Sequence, residues 1–241
     1  MTYSVNYIFD VDGTLTPSRC KMDPVFAKLF LEFCSVNNVY LVTGSDRPKT
    51  IEQIGETIYN KCKRVYQCSG SEVYEGDTLV FSDSWELPGI ALSFLVNELR
   101  ASGFSIRTGK HIEHRVGMVN FSVVGRSASP EDRASYVKYD KLTSERACIA
   151  NRFNSNFPSL HATVAGETGL DISRRGSDKS QILRDFTLDS KIAFFGDSMG
   201  FTGNDRPLAT AMHKNYMCST SITVQDWNDI FNHVHSFHNN V

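Results

Sequence analysis

The chain has 241 residues, 41% of them apolar and 22% charged, ordinary proportions for a globular protein with a sizeable core. Its 25 basic and 27 acidic residues give a net charge of −2, so no bulk field draws it to nucleic acid or to an anionic membrane, and neither is an expected partner. No apolar run approaches the roughly 20 residues that span a bilayer, and the opening "MTYSVNYIFD" lacks the basic segment and cleavage site of a secretory leader.

Residues 3–9 form an apolar run that predicts a buried strand. A helix is expected over 24–37, with Asp23 as N-cap and Pro24 at its first position. "VYLVTGSD" (39–46) predicts a second buried strand ending in a polar loop, 48–60 a second helix, and "RVYQC" a short strand. Strand alternating with helix predicts a parallel sheet with helices on both faces, whose ligand lies at the carboxyl ends of the strands. The middle of the chain differs. "EVYEGDTLVF" predicts a hairpin turning at Gly76-Asp77, followed by a helix near 89–102, strand-like "HIEHRVGMVNFSVV", helical 130–156 and strand-like "LHATVAGETGLDIS". The α/β pattern then resumes with a helix opened by "SDKSQILRDF", a buried strand "KIAFFGDS" and a last helix over about 223–238. The expected fold is therefore an α/β, Rossmann-like core of residues 1–81 and 177–241, with an inserted α+β cap over 82–176 built on an antiparallel sheet.

Six cysteines (Cys20, Cys34, Cys62, Cys68, Cys148, Cys218) are scattered without C-x-x-C spacing and read as reduced thiols of a cytoplasmic protein. His235 and His238 stand one helical turn apart without a further ligand and read as part of a solvated terminal helix.

The chemistry starts at "YIFDVDGTLTPSR", where a strand ends in Asp10 and Asp12. Residues two apart at a strand end point the same way, so both carboxylates face one pocket and need a positive partner between them. Oxygen-only ligands suit Mg²⁺, which gives Asp10, Asp12 and Asp197 as the expected metal ligands, Asp197 closing a second core strand. Thr14 and Thr43 offer hydroxyls and Lys179 a further positive charge. Together these imply phosphoryl transfer, with one aspartate as nucleophile, the other as acid/base, and Thr43 and Lys179 completing the catalytic set. A helix N-cap role before residue 48 is the competing reading of Thr43 and Ser45, and a helix start that of Asp205.

Asp10-Val11-Asp12-Gly13-Thr14, Thr43, Lys179 and Asp197 with Asp205, in that order, resemble the four motifs of the haloacid dehalogenase superfamily. "FDVDGTLTPSR", "IEHRVGMVNFSVVGRSASPEDR", "GLDISRRGSDK" and "FFGDSMGFTGND" further resemble the eukaryotic-type phosphomannomutase family across nearly the whole chain. That resemblance implies that Arg19, Arg115, Arg126 and Arg133 grip a sugar phosphate, with Asn120 nearby and Asp171 on sugar hydroxyls. It also implies a hexose 1,6-bisphosphate activator, a homodimer formed through the cap and a role supplying GDP-mannose synthesis. Departures are present. Gly169 stands at the position of a substrate-contacting Ser with Thr168 beside it, Ser177 replaces a Trp, and Val116 and Val123 replace an Asn and a Pro. The implied activity is interconversion of mannose 6-phosphate and mannose 1-phosphate; the alternatives are a Mg²⁺-dependent sugar-phosphate phosphatase and a sensor that binds without turnover.

Overall fold

The computed structural model describes residues 4–201 and 203–238, with side chains through 236. It divides into two compact units, one holding the described residues up to Ser82 and from Gly176 onward, the other Asp83–Arg175.

The first unit is built on a seven-stranded sheet, with β1 (Asn6–Phe9), β2 (Asn38–Val42), β3 (Arg64–Gln67), β4 (Glu72–Glu75), β5 (Thr78–Ser82), β10 (Ile192–Gly196) and β11 (Ser219–Thr223) in the order β11-β10-β1-β2-β3-β4-β5. β11, β10, β1, β2 and β3 run parallel, and the β4–β5 hairpin continues the same sheet antiparallel. Alternation along β1 splits its side chains between two cores. Tyr7 and Phe9 pack with Phe26, Phe30 and Phe33 of α1 (Pro24–Val36) and with Ile230 and Val234 of α8 (Trp227–His238). Ile8 packs on the other face with Ile182, Leu208 and Met212. Helix α1 begins where its sequence says: Pro24 needs no hydrogen bond at that position, and Asp23 accepts from the N–H of Val25 and Phe26.

Several elements differ from the sequence expectation. The helix expected over 48–60 is two helices, α2 (Arg47–Ile54) and α3 (Glu56–Lys61), interrupted at Gly55. The residue capping α2 is Asp46, which accepts from Lys49 N at 3.1 Å, so neither Thr43 nor Ser45 has that role. "KSQILRD" is a 3₁₀ segment, Lys179–Asp185, with Asp178 accepting from Ser180 N. Helix α7 (Arg206–Asn215) appears in the sequence reading only as a helix start at Asp205, and strand β11 has no counterpart there. The "STSIT" of β11 is an edge strand, half-exposed and rich in hydroxyls, so it has no apolar run.

The second unit is a four-stranded antiparallel sheet in the order β6-β7-β9-β8, formed by β6 (Ile112–Arg115), β7 (Met118–Ser122), β8 (Leu160–Ala165) and β9 (Gly169–Arg174). One face, carrying Val119, Phe121, Leu170 and Ile172, shares a core with α4 (Gly89–Ala101), α5 (Pro130–Thr143) and α6 (Glu145–Asn156). The expected helical stretch 130–156 is divided by Ser144, in left-handed conformation (φ 53°). The opposite face is polar. One row across it reads Glu113, Asn120, Asp171, Thr163.

Candidate active site

Asp10 follows the last residue of β1 and continues the pairing, its N–H donating to Phe195 O at 2.9 Å. The chain turns at once, and Gly13 takes φ 85°, a conformation glycine adopts without cost. A Cβ there would also stand 2.5 Å from Asp197 Oδ2, so the glycine lets the end of β10 come up against the turn after β1.

This brings Asp10, Asp197 and Asp205 together, with one oxygen of each within 4.8 Å of the others. Lys179 is buried among them at 1% exposure. Its ammonium donates to Asp10 Oδ1 at 2.6 Å and to Asp205 Oδ1 at 2.7 Å. Asp205 sits at the start of α7 but does not cap it with its side chain, which is turned inward to Lys179 and to Ser198 N. Burial pushes the Asp10 carboxyl up to about 7 against the pull of Lys179, and the negative charge of Asp205 adds to the rise. Asp197 is raised by burial and then by Asp205. Burial would lower Lys179, but Asp10 and Asp205 outweigh it and hold the ammonium above the ordinary lysine value.

Three carboxylates around one ammonium leave two negative charges uncompensated (three minus one) in a largely buried place. A divalent cation balances that excess, and an all-oxygen donor set suits Mg²⁺. The residues present therefore fit such an ion. Asp12, an expected ligand, is not in the cluster. Both of its oxygens are already engaged: Oδ1 accepts from Arg19 N (2.8 Å) and Gln53 Nε2 (2.9 Å), and Oδ2 from Ser45 Oγ (3.1 Å) and Lys49 Nζ (3.3 Å). Burial would raise Asp12, but these donors prevail and hold its carboxyl below the ordinary carboxylate range. Asp205 is the third member of the cluster.

Lys49 and Gln53 form the part of the site that sequence reasoning missed. They stand four residues apart on α2, and this single-face spacing is the signal that could have found them. Thr43 is buried and its Oγ1 accepts from Ser45 N at 3.1 Å, which leaves its own O–H to donate. An open cleft of about 510 Å³ is lined by Asp10, Asp12, Arg19, Thr43, Lys49 and Asp197, among others. Arg19 reaches it from a left-handed backbone position, φ 61°.

The remaining expected site residues lie in the second unit. Glu113 Oε2 accepts from Arg115 Nη2 at 2.6 Å and lies 3.2 Å from Arg126 Nε, so one carboxylate holds two guanidinium groups. Arg133 meets Glu167 at 3.0 Å. Asn120 donates to Asp171 at 2.7 Å, and Gly169 is buried beside them.

The model of the eukaryotic phosphomannomutase family matches residues 26–236. A phosphomannomutase of Spinacia oleracea is 33% identical over 206 residues, covering 82% of this chain and 83% of that protein. One from Triticum aestivum is 30% identical over 237 residues, covering 93% and 94%. Among solved structures, trehalose-6-phosphate phosphatase of Aspergillus fumigatus superposes with TM-score 0.59 at 14% identity, covering 98% of this chain and 93% of that one. A haloacid dehalogenase-like hydrolase of Bacteroides thetaiotaomicron gives TM-score 0.59 at 12% identity, covering 98% of this chain and all of that one. These two likenesses are of fold.

Proposed function

The chain belongs to the eukaryotic phosphomannomutase family, and on that premise we propose that it interconverts mannose 6-phosphate and mannose 1-phosphate through a phosphoryl group carried on Asp10. The observation that carries the chemistry is the division of labour between two carboxylates two residues apart. Asp10 is buried against Lys179 in the acidic cluster, whereas Asp12 is held by a separate set of donors.

In the working cycle a hexose 1,6-bisphosphate acts as activator. It first leaves a phosphoryl group on Asp10. A hydroxyl of the sugar monophosphate then attacks that phosphorus, the bond from phosphorus to the Asp10 oxygen breaks, and ionised Asp12 takes the hydroxyl proton. The bisphosphate so formed returns with its other phosphate toward Asp10. Asp10 attacks that phosphorus, the bond from phosphorus to the sugar oxygen breaks, and Asp12 gives its proton to the departing oxygen. Lys179 offsets negative charge at Asp10, and the Thr43 hydroxyl donates to a phosphoryl oxygen. Asp10, Asp197 and Asp205 would hold Mg²⁺, which would supply charge neutralisation at the phosphoryl group.

A mutase has to hold the phosphate that is not reacting, and Arg115, Arg126 and Arg133 suit that task because a guanidinium meets phosphate oxygens in pairs. The enzyme works in the cytoplasm as a homodimer through the inserted unit, upstream of GDP-mannose.

Purified protein with Mg²⁺, mannose 1-phosphate and a trace of glucose 1,6-bisphosphate tests the proposal by ³¹P NMR. The expected result is a mannose 6-phosphate resonance at constant total ester. Free phosphate growing without the 6-phosphate overturns it in favour of a phosphatase.

A further inference from the structure

In the proposed cycle Asp12 takes a proton and gives it back, and its two oxygens are placed differently for that task. Oδ1 accepts from Arg19 N at 2.8 Å and from Gln53 Nε2 at 2.9 Å. Neither donor can accept a proton in return, because a backbone N–H and an amide NH₂ only donate. Oδ2 meets Ser45 Oγ at 3.1 Å and Lys49 Nζ at 3.3 Å. The Lys49 ammonium lies closer to Ser45 Oγ, at 2.9 Å, and a hydroxyl can either donate or accept. Ser45 and Lys49 line the cleft beside Asp12, whereas Gln53 is 3% exposed behind it. One oxygen of the carboxylate is therefore closed by fixed donors, and the other lies among the groups of the cleft.

The amide of Gln53 has one orientation. Its nitrogen faces the Asp12 carboxylate and, at 3.2 Å, Thr16 Oγ1, whose own hydrogen is directed to Val11 O at 3.4 Å. Both amide hydrogens are so used, and Gln53 Oε1 is left buried without a donor among the described residues. A buried acceptor left unfilled opposes folding, so a methionine of similar length would suit the stability of this part of α2 better. Arg19 carries a second cost at the same oxygen. It presents its N–H from the left-handed conformation (φ 61°), which a residue with a Cβ adopts only against a penalty. Two unfavourable features thus converge on Oδ1 of Asp12. They are also tied together through the backbone, Met22 N donating to Gln53 O at 2.7 Å.

Resting on the mutase reading, we infer that Gln53 is a positioning residue for the proton transfer, its amide closing Oδ1 of Asp12 together with the Arg19 N–H so that Oδ2 alone exchanges a proton with the sugar oxygen. When a bisphosphate loads Asp10, the bond from phosphorus to the sugar oxygen breaks and the proton on Oδ2 moves to that oxygen, leaving Asp12 ionised. In the other direction the sugar hydroxyl attacks the phosphorus on Asp10, and its proton returns to Oδ2. Without the amide the carboxyl group can carry its proton on Oδ1, on the side away from the cleft, and the sugar oxygen then has to depart as an alkoxide. The effect depends on the leaving group. Nitrophenolate departs without a proton, so transfer from 4-nitrophenyl phosphate to Asp10 does not need Asp12 as an acid.

The test measures single-turnover phosphorylation of Asp10 by glucose 1,6-bisphosphate and by 4-nitrophenyl phosphate, with Mg²⁺ present, in wild type and two variants. Gln53→Met keeps the length and removes both polar atoms. It is expected to slow the reaction with the bisphosphate at least about tenfold and that with the nitrophenyl ester by less than about threefold. Turnover of mannose 1-phosphate should fall with the first, in kcat rather than KM, and the melting temperature should stay within about 4 °C. Gln53→Glu, nearly isosteric, repeats the test with less change of shape, and the same loss against the bisphosphate is expected. Equal losses with the two donors, or no loss with either, overturn the inference and make Gln53 structural. The two donors also separate this inference from the reading beneath it. A wild-type chain that loads Asp10 from both donors but forms no mannose 6-phosphate removes the mutase, while the donor ratio in the variants still decides the role of Gln53. Isomerisation by wild type with an unchanged donor ratio in both variants removes the role of Gln53 alone.

Discussion

The two charged regions of this molecule are built differently. In the first unit Lys179 is 1% exposed and held by two carboxylates at once. In the second, the side chains of Arg115, Arg126 and Arg133 are 40%, 39% and 35% exposed, and each leans on one glutamate. An exposed ion pair contributes about 0–1 kcal/mol, whereas removing one partner of a buried pair costs about 3–5 kcal/mol. Bond-making groups gain from being fixed in a dry place before the substrate arrives. Binding groups gain from partners they can exchange, and Glu113 and Glu167, in exposed pairs with the three guanidinium groups, suit that role in the proposed function.

The largest difference should appear on removing one cation from each region. Lys179→Met leaves Asp10 and Asp205 buried without their ammonium and is expected to cost about 3 kcal/mol, a fall in melting temperature of roughly 6–12 °C, along with turnover. An unchanged melting temperature would show that the buried set tolerates loss of its centre. Arg133→Ala should leave the melting temperature within about 2 °C, since it breaks only an exposed pair. It should lower transfer between sugar phosphates about 10–100-fold, and hydrolysis of a small phosphate ester by less. Equal losses in the two assays would erase the distinction between the regions.

A pH series sharpens the account of the first region. Without a cation, the folded-state value of Asp10 lies near 7, above the unfolded value near 4. Such a raised group adds stability that is fully present below about pH 4 and is lost as pH climbs through about 7. The cation favours the ionised carboxylates, so added Mg²⁺ should raise the melting temperature more at about pH 8 than at about pH 5. A larger rise at the lower pH would contradict this. The smallest effects belong to the helix caps. Asp23→Ala in the first unit and Ser129→Ala, which opens the capping box of α5 in the second, should each cost about 1 kcal/mol and leave KM unchanged.

What the sequence disclosed follows the same division. Asp10, Lys179 and Asp197 stand out in the sequence because a carboxylate at the end of an apolar run, or a lysine after a capping aspartate, has little else to do there. The cap of α1 and the hairpin at Gly76 were legible because Asp-Pro and Gly-Asp act on their own backbone. The donors to Asp12 were not legible, because Lys49 and Gln53 reach it from another element through a helical period that ordinary surface residues share. Asp205 was named with Asp197 in the last motif, but its contact was not legible for the opposite reason: beside Asn204 and ahead of Pro207 it also reads as a helix start, and only the fold turns its side chain toward Lys179. The Asn120–Gly169 contact depends on the register between β7 and β9, two strands far apart in the chain, which no local pattern specifies.

The most direct measurement maps the phosphoryl group. Protein mixed with Mg²⁺ and glucose 1,6-bisphosphate, quenched in acid and digested, is expected to carry the mass of one phosphoryl group on the peptide containing Asp10. The same peptide from Asp10→Asn should stay unmodified, and its turnover should fall by at least about 10⁴-fold. A phosphoryl group on another residue, or turnover surviving in Asp10→Asn, would contradict the account.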